Sequence, residues 1–217
     1  MALDGHSPSI SDPESGYLYF AYGSNMHLQQ MAQRCPGSVI FAKGALRNYK
    51  WQTNSRGGGN VLQGTADDVV HGIVFKIPSC EIEALRRYEG VDKQFFVEQK
   101  LVIELEAISD PELSRQKTVD VVEMLAKKNC DHGQHDISAT MRPTSSNEIC
   151  QAGPRLSGSI EALVYISTPM YSSPGTIRDE YSGRMQLAIA DARFLGLSED
   201  YLAYSLGPLI SRKDTNA

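Results

Sequence analysis

The chain is poor in cysteine and has a single tryptophan: four cysteines, at positions 35, 80, 130 and 150, are spread over 217 residues. No two of them form a CxxC pair, which excludes a thioredoxin-type redox motif and favours reduced, mostly structural thiols over a disulfide framework. An excess of positive charge is also missing. Twenty-one basic residues stand against 26 acidic ones, a net charge of −5, and the lysines and arginines are scattered, so no nucleic-acid partner is expected. No apolar run approaches the roughly 20 residues that span a bilayer, and the N-terminus lacks a basic region followed by an apolar core. Neither a membrane partner nor a secretory signal is expected, and the expected location is the cytoplasm. The glycine-rich run at residues 55–60 lacks the following Gly-Lys-Ser/Thr of a phosphate loop and reads as a flexible turn or hairpin tip. Cys130, His132, His135 and Cys150 are possible metal ligands, but their spacing fits no common zinc pattern in a polar, turn-rich segment, so no metal is expected.

What is present centres on Tyr17-Leu18-Tyr19-Phe20-Ala21-Tyr22-Gly23-Ser24-Asn25-Met26. Its first half is uncharged, aromatic and aliphatic, as in a buried strand, and it breaks into Gly-Ser-Asn, which form loops and caps. Gly23 is expected to take a positive φ, and Ser24 or Asn25 to cap a helix running on from Met26. Such a turn aims several backbone N–H groups at one point and suits a carboxylate.

Along the rest of the chain, residues 1–16 read as a mobile leader, 17–210 as one domain and 211–217 as a fraying tail. Strands are expected at 38–42 and 46–52, separated by Lys43-Gly44-Ala45 and paired with each other, and at 72–77. Pro78 and Ser79 then stop the strand, with Ser79 as N-cap of a helix that has Ile82, Leu85 and Tyr88 on one side and ends at Gly90. Glu81 and Glu83 are expected to be solvated at its start. Glu89 sits at its C-terminus, where the helix dipole disfavours a negative charge and, with burial, raises the carboxyl pKa. Residues 95–106 fit a long strand with a bulge near Gln99. Residues 109–155 read as a polar insertion holding a helical or strand piece at 119–125. A last strand at 159–166, a helix over about 178–195 and a short one from Ser198 that Gly207-Pro208 ends complete the pass. Strands and helices do not alternate regularly, so the class is α+β.

Phe20-Ala21-Tyr22-Gly23-Ser24-Asn25-Met26 resembles the opening signature of the γ-glutamyl cyclotransferases, with methionine where leucine is commoner. Residues 70–77 leading to Tyr88-Glu89-Gly90-Val91 resemble the segment that carries that family's catalytic glutamate. The resemblance covers residues 17–102 well and 160–204 loosely. It implies a small, mostly antiparallel β-barrel with surrounding helices and an enzyme that releases 5-oxoproline from a small γ-glutamyl substrate without a metal or redox cofactor. Glu89 is then the catalytic residue. Tyr22, Gly23, Ser24, Asn25 and Met26 are expected to bind substrate, with Gly58, Gly59 and Asn60 as site neighbours and Tyr165, Tyr171 and Tyr181 closing the pocket. The insertion suggests a bulky substrate, as in family members that trim glutathione adducts in fungal sulfur-metabolite synthesis of the gliotoxin type. The general γ-glutamyl-amino-acid enzyme of glutathione metabolism is the alternative, and a non-catalytic small-molecule binding module is a third reading. The sequence does not decide the oligomeric state.

Overall fold

Alternating apolar residues at 16–21 and 69–78 bring two strands together. β1 (Gly16–Ala21) runs antiparallel to β5 (Val69–Pro78), from Gly16 opposite Pro78 to Ala21 opposite Ile73. The computed structural model describes residues 16–131 and 158–211. β2 (Val39–Arg47), β6 (Phe96–Glu106) and β7 (Gly158–Ser167) extend the sheet in the order β1-β5-β2-β6-β7. A parallel contact of Tyr19 with Leu163 closes it into a barrel and removes its free edges. Phe20, Ile40, Ile73, Phe75, Ile103 and Val164 are fully buried in its core. β3 (Tyr49–Thr53) and β4 (Gly59–Gln63) form a separate hairpin. The helices are α1 (Leu28–Arg34), α2 (Ile82–Glu89), α3 (Thr118–Asp131), α4 (Asp179–Phe194) and α5 (Gly207–Ser211). The α+β barrel with surrounding helices is as expected.

Several local expectations are corrected. Residues 43–45 do not interrupt β2, which pairs with β5 and β6 and turns only at Asn48, whose φ is 63°. The next strand pairs with β4 and not with β2. The register irregularity lies between Ile40 and Ala42, whereas β6 pairs with β7 without a shift through Gln99. The N-cap of α2 is Glu81, with no side-chain cap bond, and not Ser79; the Glu81 carboxylate accepts from Gly37 N–H at 2.9 and 3.1 Å and so is not merely solvated. Tyr88 leaves the apolar side of α2 and is exposed. Gly207-Pro208 does not end the last helix: a π-helical stretch, Tyr201–Leu206, continues into α5.

The first part of the 109–155 segment is packed against the fold. Arg115 N–H donates to Ile40 O at 2.7 Å, Ile40 N–H to Gln116 O at 3.0 Å and Thr118 N–H to Ser38 O at 2.8 Å, and α3 packs on α1 with Leu113 and Val121 buried. Val119 through Leu125 are helical because one face of that run has apolar α1 to cover. The rest of the segment, including His132, His135 and Cys150, lies outside the described residues, as do the expected leader up to residue 15 and the tail from 212. Cys35 and Cys80 are free thiols, and burial pushes Cys35 up to about 12. Among the described residues no helix is long and apolar enough to cross a membrane.

Candidate active site

The end of β1 leads into a single 3-10 turn, Ser24–Met26, in which Met26 N–H donates to Gly23 O at 2.9 Å and His27 N–H to Ser24 O at 3.1 Å. Neither Ser24 nor Asn25 caps α1. The Asp191 carboxylate, from α4, does so by accepting from Leu28 N–H at 2.7 Å. Gly23 has φ −134°, so the expected positive φ is not adopted. Its lack of a side chain has another cause. A Cβ there would lie 2.8 Å from the Tyr181 hydroxyl, and one at Gly59 would lie 2.5 Å from the same oxygen. Burial raises the pKa of that phenol while the backbone of Gly59 and Ser24 pulls it down, so one buried side chain from α4 sits between the turn and β4 and requires both glycines.

Glu89 reaches this turn from α2, whose C-cap Gly90 has φ 70° and ψ 38°, a conformation glycine adopts freely. The helix is anchored to β6 by Arg86, which grips Glu98 with two bonds of 2.8 Å. Glu98 also accepts from Tyr165 OH at 2.9 Å, and Tyr22 OH donates to the Tyr165 carbonyl. As the last residue of α2, Glu89 has a side chain that is 15% exposed. Its Oε1 accepts from Asn25 Nδ2 at 2.6 Å and lies 3.4 Å from Arg34 Nη1. The Asn25 amide is fixed in orientation, because its Oδ1 accepts from Gln30 at 2.9 Å and Arg34 at 2.7 Å while Nδ2 also donates to Tyr19 OH at 2.7 Å. Burial raises the Glu89 pKa above its ordinary value, and Arg34, Asn25 and Arg184 pull in the opposite direction. The Tyr19 hydroxyl is pushed well up by its own burial and then by Glu89.

These groups line a cleft of about 240 Å³. Of the residues expected from sequence, Tyr22, Gly23, Ser24, Asn25, Gly58, Gly59, Glu89, Tyr165 and Tyr181 meet there. Three others do not line it. Met26 is fully buried in the core, and Asn60 is buried with its Oδ1 accepting from Ser167 N–H at 2.8 Å, which joins β4 to β7. Tyr171 stands behind the wall, 5.4 Å from the Arg56 guanidinium carbon. None of residues 109–131 lines the cleft, so this part of the segment supports α1 and does not frame the entrance. What sequence reasoning missed is mainly charge: Arg34, Arg56, Arg87, Lys93, Arg178 and Arg184 all face the cleft against the single carboxylate of Glu89. They come from five separate stretches of chain, and no local pattern marks them.

No family model matches the sequence. The chain is 31% identical over 107 residues to the gamma-glutamylcyclotransferase of Homo sapiens and 27% identical over 106 residues to that of Bos taurus. Each match takes in 45% of this chain and 56% of the relative, so the chain spans about half the length of the curated relatives it matches. A solved structure described as a gamma-glutamyl cyclotransferase superposes with a TM-score of 0.59 at 17% identity, over 94% of this chain and 91% of that one. The resemblance to the γ-glutamyl cyclotransferases is thus found both in sequence and in the fold.

Proposed function

We propose that the protein is a γ-glutamyl cyclotransferase, releasing 5-oxoproline as the substrate's α-amine attacks its own γ-carbonyl and expels the linked amine. One observation carries this reading: a mostly buried glutamate and the glycine-serine-asparagine turn, 64 residues apart, meet in one cleft through the 2.6 Å bond from Asn25 to Glu89. The reaction needs a group that removes a proton from the α-ammonium and later delivers one to the leaving nitrogen. Glu89 suits both steps. Asn25 and Arg34 address its Oε1, and Oε2 has no partner among the described residues, which leaves that atom for substrate. A pKa raised by burial brings its proton affinity closer to neutrality.

The tetrahedral oxyanion needs donors already in place. The Tyr181 hydroxyl faces the cleft beside Gly23 and Gly59, and burial raises its pKa, so it keeps its proton and can donate it to the oxyanion. Tyr22, Tyr165 and the aromatic wall exclude water and hold the glutamyl chain folded, so that amine and carbonyl meet.

A γ-glutamyl-amino acid of ordinary size is the first substrate to test, because none of residues 109–131 lines the cleft. A glutathione-derived conjugate of the fungal sulfur-metabolite type is the narrower alternative. Measuring 5-oxoproline from γ-glutamylalanine and from a glutathione adduct, with wild type and Glu89→Gln, tests the activity and separates the two. No release from either by folded wild-type protein would favour a binding module instead.

A further inference from the structure

Four of the six cations around the cleft have no carboxylate partner among the described residues. Arg34 is engaged by Asn25 and Glu89, and Arg184 by Glu180 at 3.1 Å; Arg56, Arg87, Lys93 and Arg178 are not paired. Two of these are held side by side. Arg56 sits in the loop at residues 54–58, which buried Asn54 stiffens: its Oδ1 accepts from Arg56 N–H and Gly58 N–H, each at 3.0 Å, and its Nδ2 donates to Ser167 at 2.9 Å. The Arg56 guanidinium carbon lies 3.2 Å from the centroid of the Phe95 ring, with Tyr171 as a second ring edge-on to the first. A ring stacked on the guanidinium face fixes its plane and leaves its N–H edge for hydrogen bonding. Arg178 is brought alongside because its N–H donates to Gly57 O at 3.2 Å, and Gly57 has φ 76° with no room for a Cβ against Arg178. Each charge is close enough that Arg178 lowers the Arg56 pKa, after the effect of Arg56's own burial. Asp179 and Glu180 follow Arg178 on α4, but Glu180 turns to Arg184 and neither is bonded to Arg178. A chain of net charge −5 thus keeps a positive pair unneutralised beside its one cleft carboxylate.

Resting on the cyclotransferase reading, we propose that Arg56 and Arg178 form a carboxylate subsite for the leaving amine, selecting γ-glutamyl compounds whose leaving group is anionic over γ-glutamylamines. The glutamyl end of every such substrate is the same, so discrimination must come from what the departing nitrogen carries. A planar guanidinium held edge-on gives two parallel N–H···O bonds to a carboxylate, and Arg178 adds the second charge. Arg87 and Lys93 extend the positive potential along the rim, which predicts that a leaving amino acid with a second carboxylate binds better than a neutral one.

The test is binding to the Glu89→Gln protein, where no turnover interferes, measured by calorimetry with γ-glutamylglutamate, γ-glutamylalanine and γ-glutamylethylamine. The expected order of affinity is the order just given, with roughly tenfold between alanine and ethylamine compounds. Adding Arg178→Gln, or separately Arg56→Gln, should bring that ratio close to one, with circular dichroism as the folding control. Equal binding of all three compounds, or a ratio that survives both substitutions, overturns the subsite and leaves the cyclotransferase reading standing. Failure of any γ-glutamyl compound to bind overturns both.

Discussion

The inner wall of the cleft and its outer rim are built on opposite principles. On the inner wall, Glu89, Asn25, Gln30, Arg34 and Tyr19 satisfy one another within a buried hydrogen-bond network. On the rim, Arg56, Arg87, Lys93 and Arg178 carry charge that no carboxylate among the described residues answers. A satisfied network fixes geometry and costs little to keep, whereas unpaired like charges raise the energy of the empty site and lower it again when an anion arrives. The wall is therefore arranged for chemistry and the rim for capture.

The sharpest way to break the comparison is at the wall. Glu89→Gln keeps the shape and the acceptor for Asn25 but cannot take up a proton at neutral pH, so 5-oxoproline release should fall on the order of 10²-fold or more with folding retained. Near-wild-type turnover by the folded variant would remove Glu89 from the mechanism. Gly23→Val comes next. Its Cβ would press on the Tyr181 hydroxyl at 2.8 Å, and overpacking of this kind costs about 1–3 kcal/mol, read as a lowered unfolding midpoint together with weakened binding. In a Tyr181→Phe background the same substitution should cost measurably less, since the obstructing oxygen is gone. An unchanged penalty would place the strain elsewhere.

The wall's electrostatics give a third effect. Glu89 has a folded pKa above its ordinary value of 4.5, so the folded state holds that proton more tightly than the unfolded chain does. Its contribution to stability is accordingly favourable at low pH and is lost as pH rises from about the unfolded value through the raised folded one. Glu89→Gln should gain stability relative to wild type across that window, with little further change above it. Arg34→Gln removes a group that opposes the shift, so the acid limb of activity should move to higher pH in that variant. A limb that stays in place would mean that Arg34 does not act on Glu89. Urea midpoints and rate profiles across pH 4 to roughly 8 check both.

The motif carried more of the wall than of the rim. Tyr22 to Asn25 and Glu89 could be picked out because a strand breaking into Gly-Ser-Asn, and a glutamate beside a C-cap glycine, are local patterns. The reason for Gly23 could not be read locally, since the obstruction is a hydroxyl 158 positions away on α4. Met26 was drawn into the site by its place in the motif, yet one residue of 3-10 turn is enough to swing it into the core. Arg56, Arg178 and Lys93 were invisible because a scattered charge becomes a patch only when three loops converge. The polarity of residues 109–131 likewise concealed an apolar helix face whose partner, α1, lies some 90 residues upstream.

The smallest expected effect separates the two regions without any substitution. Ionic strength screens exposed charges beyond a distance of roughly 10 Å at 0.1 M and 3 Å at 1 M, and acts far less on groups shielded from solvent. The rim faces solvent, with Arg87, Lys93 and Arg178 exposed, whereas Glu89 is 15% and Arg34 16% exposed. Raising salt should therefore increase KM for γ-glutamylalanine a few-fold while kcat and the acid limb stay where they are, because capture weakens and the proton transfers do not. γ-Glutamylethylamine, lacking the second anion, should show a flatter response. A salt effect that falls on kcat, or falls equally on both substrates, would mean that the rim and the wall do not divide the work in this way.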